Sequence, residues 1–313
     1  MMARGFVMGS ADVVPGVSGG TMAFILGIYE ELIQSISDLT NRDFLEALLK
    51  LRVKQAMDMI NWRFLLAVAV GIMLAIFTLA QALEWLLENQ PVLLWSFFFG
   101  LILASVFVVA RRIEQWQPTT IGAMILGAII SYLLVGLIPA QTPNAWWFLI
   151  LCGALAITAM VLPGVSGAFI LVLLGKYQYI LGAVNDRDVL TLALVSIGAG
   201  IGIVSIARAM SWLFKKYHDL TIALLIGLMI GSLRKIWPWK QVETFIVGSH
   251  GEQIPTIERN ILPSLTVNGS FNSEVLIAAG LAILAIVAVL LIERFSSHAE
   301  PKNVPEVAEV PAK

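Results

Sequence analysis

Cysteine, histidine and charge are all scarce in this 313-residue chain, and each scarcity closes off a class of function. The one cysteine, Cys152, lies inside an apolar run. It excludes an internal disulfide and a thiolate zinc cluster, and reads as a small buried hydrophobe. The three histidines, His218, His250 and His298, stand far apart with no i,i+4 pairing, so a metal-hydrolase motif has no support. No Walker-type loop, Ser/His/Asp arrangement or carboxylate pair beside a histidine is present; neither an enzyme nor a bound cofactor or metal is expected. Charged residues make up only 13% of the chain, against about 25% in soluble globular domains. A net charge of −1 supplies no basic field for nucleic acid.

What the chain has instead is apolar length. Runs at about 64–87, 92–110 and 120–138 fill the first half after its opening segment, and runs at about 190–214, 220–233 and 275–292 fill the second. A helix rises 1.5 Å per residue, so about 20 such residues cross a hydrocarbon layer of roughly 30 Å. The start does not read as a cleavable signal peptide: Arg4 is its only early cation, and Asp12 and Pro15 interrupt the apolar stretch.

The halves repeat. Displacing the sequence by 148 lays residues 9–36 on 157–184 with ten of 28 pairs identical, including Pro-Gly-Val-Ser-Gly at 15–19 and 163–167. Displacing it by 127 lays 64–106 on 191–233 with twelve of 43 identical, among them Gly71/Gly198, Trp85/Trp212 and Gly100/Gly227. Paired Trp, Gly and Pro at one displacement do not arise from apolar composition alone. The change in displacement is a 21-residue insertion after the first motif.

Proline followed by glycine breaks a helix, and about 14 residues before Pro15 are too few for a comfortable span. Each motif segment therefore reads as a re-entrant hairpin. A hairpin plus three spans crosses the membrane an odd number of times, which makes the halves inverted repeats. The expected fold is all-α and polytopic. The first repeat covers 1–140, with its hairpin at about 1–36 and a cytoplasmic linker at 37–63. The second covers 141–295, with its hairpin at about 146–184 and an outer loop at about 237–273. A disordered cytoplasmic tail, 296–313, follows. Thirteen of the 20 basic residues fall inside if both termini are cytoplasmic, and the short outer connections 88–91 and 139–145 hold no Lys or Arg.

Broken backbone survives in a membrane only where protein or a watery cavity satisfies it. Ser18 and Ser166 are suited to cap the helices that follow, whose N-terminal amides would face an anion at mid-membrane. A kink without ligand is the plain structural reading of each break. Ionisable residues at depth are Asp12, whose repeat partner is Met160, and Arg208, opposite Gln81, which could also snorkel to the interface. Glu30 ends the first hairpin where Gln178 ends the second, and Arg111 and Arg112 suit topological anchors or phosphate contact.

The stretches GSADVVPGVSGGTMAFILGIYEELI and AMVLPGVSGAFILVLLGKYQYIL resemble the bacterial undecaprenyl phosphate translocase family, over about residues 5–295. In the second stretch members often carry an acidic residue after the tyrosine, here Tyr177, where this chain has Gln178. The resemblance implies return of the C55 lipid carrier phosphate from the outer to the inner leaflet of the bacterial cytoplasmic membrane for envelope polymer synthesis. The headgroup would be held by Gly16, Val17, Ser18, Gly19, Gly20 and Thr21 with Gly164, Val165, Ser166 and Gly167. Arg208 or Arg112 would supply positive charge, and Asp12 or Glu30 would couple protons or sodium. Membrane lipids and a second copy of the chain are further expected partners. A transporter of a soluble anion using the same inverted-repeat site is the alternative, and a non-transporting scaffold is a third reading.

Overall fold

The computed structural model describes residues 1–14, 17–247, 253–267 and 270–297. The expected membrane fold is present: helices dominate, and five among the described residues are long and apolar enough to cross a membrane. They are α6 (Trp62–Asn89), α7 (Pro91–Ala110), α8 (Pro118–Val135), α12 (Val189–Lys216) and α14 (Ser273–Ser297). The sixth expected span, α13 (His218–Ser232), has 15 residues, ten of them buried. The tail lies outside the described residues beyond Ser297.

Each motif segment is a chain of three helices. In the first half these are α1 (Met2–Asp12), α2 (Gly19–Ile25) and α3 (Tyr29–Asp38). In the second they are α9 (Trp146–Val161), α10 (Gly167–Leu173) and α11 (Tyr177–Asn185). The single helix expected after each motif is therefore two, and the reason is local. Gly27 and Gly175 sit at φ +69° and +63°, open to glycine at little cost. The amides of Gly27 and Ile28 bond back to Phe24 and Ala23, and those of Gly175 and Lys176 to Val172 and Leu171. Both are Schellman closures. The chain bends by 111° between α10 and α11. The expected linker carries two short helices, α4 (Arg42–Leu49) and α5 (Val53–Asp58).

Four helix pairs pack through glycine with backbone against backbone. Gly5 and Gly9 of α1 press on Val68 and Ile72 of α6, and Gly198 and Gly202 of α12 press on Ile150 and Ala154 of α9. The leading hairpin helix and the first span of the two halves thus repeat one contact: Gly5 on Val68 and Gly153 on Val195 stand at the displacements 148 and 127. The other two pairs cross between halves. Gly100 of α7 meets Ala282 of α14, whereas Gly227 and Gly231 of α13 meet Met124 and Ala128 of α8. In every pair the residue numbers rise together, with Arg111 and Glu293 following Gly100 and Ala282 along α7 and α14, so the partners run parallel. Small residues at the seam let dispersion contacts hold helices together where lipid offers no hydrophobic drive.

The expected outer loop holds an antiparallel hairpin, β1 (Lys240–Val247) with β2 (Gln253–Asn260), Lys240 opposite Asn260. Trp237 Nε1 donates to the Ile261 carbonyl at 2.9 Å and the Ile261 amide to Trp239 at 3.0 Å, closing the base of this loop. The core gathers on α2, α3 and α13, where Phe24, Ile28, Tyr29, Ile222 and Ile226 are fully enclosed.

Candidate functional site: two motifs interlocked at the junction of the halves

The motif residues that can be placed meet each other across the halves. Ser18 caps α2 by accepting from the Gly20 amide at 3.1 Å, and its hydroxyl donates to the Met160 carbonyl at 2.8 Å. The Gly164 amide donates to Thr21 Oγ1 at 2.9 Å. Gly20 faces the Val161 carbonyl so closely that a Cβ would have no room. Ser18, Gly19, Gly20, Thr21 and Val17 are all buried, as are Gly164, Val165, Ser166 and Gly167. Gly16 lies outside the described residues. In a membrane interior, each of these bonds replaces one that water would otherwise make.

The expected open anion seat at the start of α2 is already occupied from within the chain. Asp12 Oδ1 accepts from the Gly19 amide at 2.7 Å, and Ser18 takes the next amide. A carboxylate at a helix start is itself a favourable pairing. Asp12 thus belongs to the first motif physically, as its position three residues before Pro15 suggests. The second copy has Met160 there and no such anion.

At the second motif Ser166 caps α10, accepting from the Phe169 amide at 3.4 Å. Gly164 has φ +83°, with the Leu228–Met229 backbone against it. A cavity of about 10 Å³ lies between Gly164, Ser166, Phe169, Ser232 and Lys235, room for about one water. Lys235 is a residue that sequence reasoning missed: its only signal was a place just past an apolar run, which basic residues often occupy.

The remaining expected residues are placed as follows. Arg112 lies with its guanidinium 5.9 Å from the Phe24 ring centre, beside Gly27, so it reaches the first hairpin. Arg208 turns to the junction of α3 and α4, where Nε donates to Thr40 Oγ1 at 2.9 Å and Nη2 to the Thr40 carbonyl. Its neighbour Ser211 donates to Gln34 at 2.8 Å, so α12 and α3 are tied there. Glu30 pairs with His218 at 3.5 Å, and the Asp219 carboxylate accepts from the Gln115 amide at 3.0 Å. Glu30 and Asp12 accordingly stand among different partners.

The two halves bury their hairpins unequally. All seven residues of α2 are buried, whereas only Gly167 and Leu173 are buried in α10.

Beyond α13, Glu258 of β2 accepts from Lys235 at 2.8 Å and Lys240 at 3.3 Å. Burial pushes the Lys240 ammonium down to about 8, with Glu258 opposing that and Lys235 adding to it. Burial alone would raise Glu258, but the two lysines hold it below the usual carboxylate range. Among the described residues no group of three or more His, Cys, Asp or Glu could hold a metal ion.

Comparison with known proteins gives a consistent result. A polyprenyl-phosphate transporter of Vibrio cholerae serotype O1 is 42% identical over 294 residues, 94% of this chain and 95% of that protein. A polyprenyl-phosphate transporter of Staphylococcus aureus is 30% identical over 254 residues, 75% of this chain and 84% of that protein. No solved structure matches. The model of a family described as undecaprenyl phosphate translocase-like matches residues 8–254. The chain is a multi-pass membrane protein of the transporter kind, not an enzyme, and it belongs to the undecaprenyl phosphate translocase-like family.

Proposed function

We propose that this protein returns undecaprenyl phosphate from the outer to the inner leaflet of the cytoplasmic membrane, with its phosphate passing the two interlocked motifs. The observation that carries this reading is the Gly164–Thr21 and Ser18–Met160 pair of bonds, which brings both helix breaks to one place. An anionic headgroup crossing lipid needs donors there, while the prenyl tail can remain among the acyl chains. The relatives from Vibrio cholerae and Staphylococcus aureus, both named polyprenyl-phosphate transporters, point the same way.

The two halves are inverted repeats in this reading. Its support is parity. The connection from α7 to α8, residues 111–117, begins with turns whose amides bond back to Val108, Val109 and Ala110. The five steps left from Ile113 to Pro118 reach at most about 18 Å, less than the roughly 27 Å that α8 itself spans. Successive spans therefore alternate in direction. Since α8 runs parallel to α13 and α7 to α14, the equivalent spans α7 and α13 point oppositely. With Arg4, Arg42, Arg63, Arg111 and Arg112 on one side, both termini are cytoplasmic.

Asp12 is the coupling group of this proposal. Its carboxylate sits on the amide that a phosphate would otherwise take, so proton or cation binding at Asp12 would free that donor. The test is leaflet-resolved movement of a short-chain prenyl phosphate in proteoliposomes, with and without a proton gradient. Gradient-stimulated flip is expected. No lipid movement, together with uptake of a soluble anion, would overturn the reading.

A further inference from the structure

The structure places one more cation at each hairpin. Just past its second span, each half sets a basic side chain against an aromatic ring of its own short inner helix. Arg112 follows α7 and lies over Phe24 of α2; Lys235 follows α13 and lies over Phe169 of α10, 5.3 Å from the ring centre. Arg112 fits the expected phosphate contact by charge. Lys235 stands nearer its motif, lining the small cavity with Gly164 and Ser166.

What Lys235 binds now is informative. A single oxygen, Glu258 Oε2, accepts from both Lys235 and Lys240. Lys240 is also held over the Trp95 ring, 4.7 Å from its centre. Two ammonium groups converging on one anionic oxygen is a geometry that a phosphate oxygen satisfies at least as well, with more charge to offer. Glu258 belongs to the β1–β2 hairpin, outside the spans, so it can withdraw without breaking a membrane helix. It also lines a cavity of about 730 Å³ together with Arg234, Trp237, Glu243 and Arg259. Around these two spaces and the lysine bridge to Glu258, Arg234, Lys235, Lys240 and Arg259 face Glu243 and Glu258, an excess of positive charge. Such an excess draws an anion toward the mouth.

We propose that Lys235, with Lys240, forms a phosphate-monoester site at the second motif, and that the Glu258 carboxylate occupies it until a phosphate displaces it. This rests on the transport reading above and names the residues that first receive the headgroup. Lys235 is the second-half counterpart of Arg112, reached through a different residue type and a position that the repeat alignment does not pair.

The test uses the purified full chain in nanodiscs, titrated with geranyl phosphate, with geraniol and inorganic phosphate as separate arms. Charge-assisted bonds lost at one lysine should weaken geranyl phosphate binding about tenfold or more in Lys235→Gln, with Lys235→Arg within about threefold of the parent chain. Glu258→Gln should bind several-fold tighter, because the internal competitor is gone. A purely structural Lys235–Glu258 pair predicts the reverse for Glu258→Gln: a lower melting temperature and no gain in binding. That outcome, or a Lys235→Gln protein that binds like the parent, overturns the site. Inorganic phosphate bound with the same dependence on Lys235 supports the site and makes its source soluble. If the parent chain binds geranyl phosphate no better than geraniol, the transport reading itself falls, whatever Lys235 does.

Discussion

The amide of Gly164 donates to the hydroxyl of Thr21, 143 residues away, and so fastens the second helix break to the first short helix. Thr21→Val keeps the shape and removes the acceptor, leaving a buried amide unpaired at a cost of about 1–3 kcal/mol. A lower melting temperature in detergent is expected, and Thr21→Ser should recover most of it. An unchanged Thr21→Val melt would mean that the bond does not hold the halves together.

Asp12 separates fold from coupling. Asp12→Asn retains an oxygen for the Gly19 amide while abolishing the charge. The protein should fold and bind prenyl phosphate, yet lose its response to a proton gradient in proteoliposomes. Full gradient stimulation in Asp12→Asn would remove Asp12 from the coupling path.

The glycine seams distinguish contact from composition. Gly227 faces the Met124 carbonyl, with no space for a Cβ, whereas Gly122 has nothing near it. Gly227→Leu should abolish recovery of folded protein. Gly122→Ala should be neutral or stabilising by up to about 1 kcal/mol, the helix-propensity difference. Size-exclusion profiles and melts of the two variants provide the comparison.

Lys240 gives the loop a pH signature. Its ammonium falls from 10.5 to about 8 on folding, because burial outweighs the pull of Glu258. Between those values the unfolded chain binds a proton that the folded chain does not, so this residue's contribution to stability rises with pH across that window. Below about pH 8 the contribution is lost, since the folded form must then carry the buried charge. Melting curves from pH 7 to 10 should show a weaker rise in Lys240→Gln than in the parent chain; equal slopes would contradict this assignment.

Arg208 provides the negative control at the site. Its bonds go to Thr40, so Arg208→Ala should loosen the α3–α4 junction. Geranyl phosphate affinity should change less than twofold. A tenfold loss would return Arg208 to the headgroup.

The sequence made the spans, both helix breaks and most of the duplication legible because each has a signature that survives in an apolar alphabet. Pro-Gly pairs, tryptophans and glycines align where leucines drift. The third spans escaped for the same reason. Gly100 meets Ala282 and its equivalent Gly227 meets Met124, which sets α8 and α14 at a displacement of 158. At that displacement only Gly122, Ile125, Leu126 and Leu133 find identical partners among 118–135. Two of those four are leucines, which an apolar composition matches by chance. The second break was visible in principle. Leu26-Gly27 and Leu174-Gly175 are conspicuous identities, but a glycine inside an apolar run does not announce a positive φ. Neither the Asp12–Gly19 bond nor the approach of Lys235 to Phe169 follows from spacing, since both depend on how separate helices close on each other.

The exchange of third spans has a consequence for biogenesis. α8 is made early but packs on α13, and α7 packs on α14, the last helix described. The first half therefore has only its α1–α6 seam finished while the ribosome is still producing it. Two of its membrane helices must wait in lipid, or with an insertion chaperone, for partners roughly a hundred or more residues downstream. Contacts that distant in sequence close slowly. A nascent chain stalled before α13 should accordingly be a substrate for membrane quality-control proteolysis, and co-expression of the missing second half should protect it.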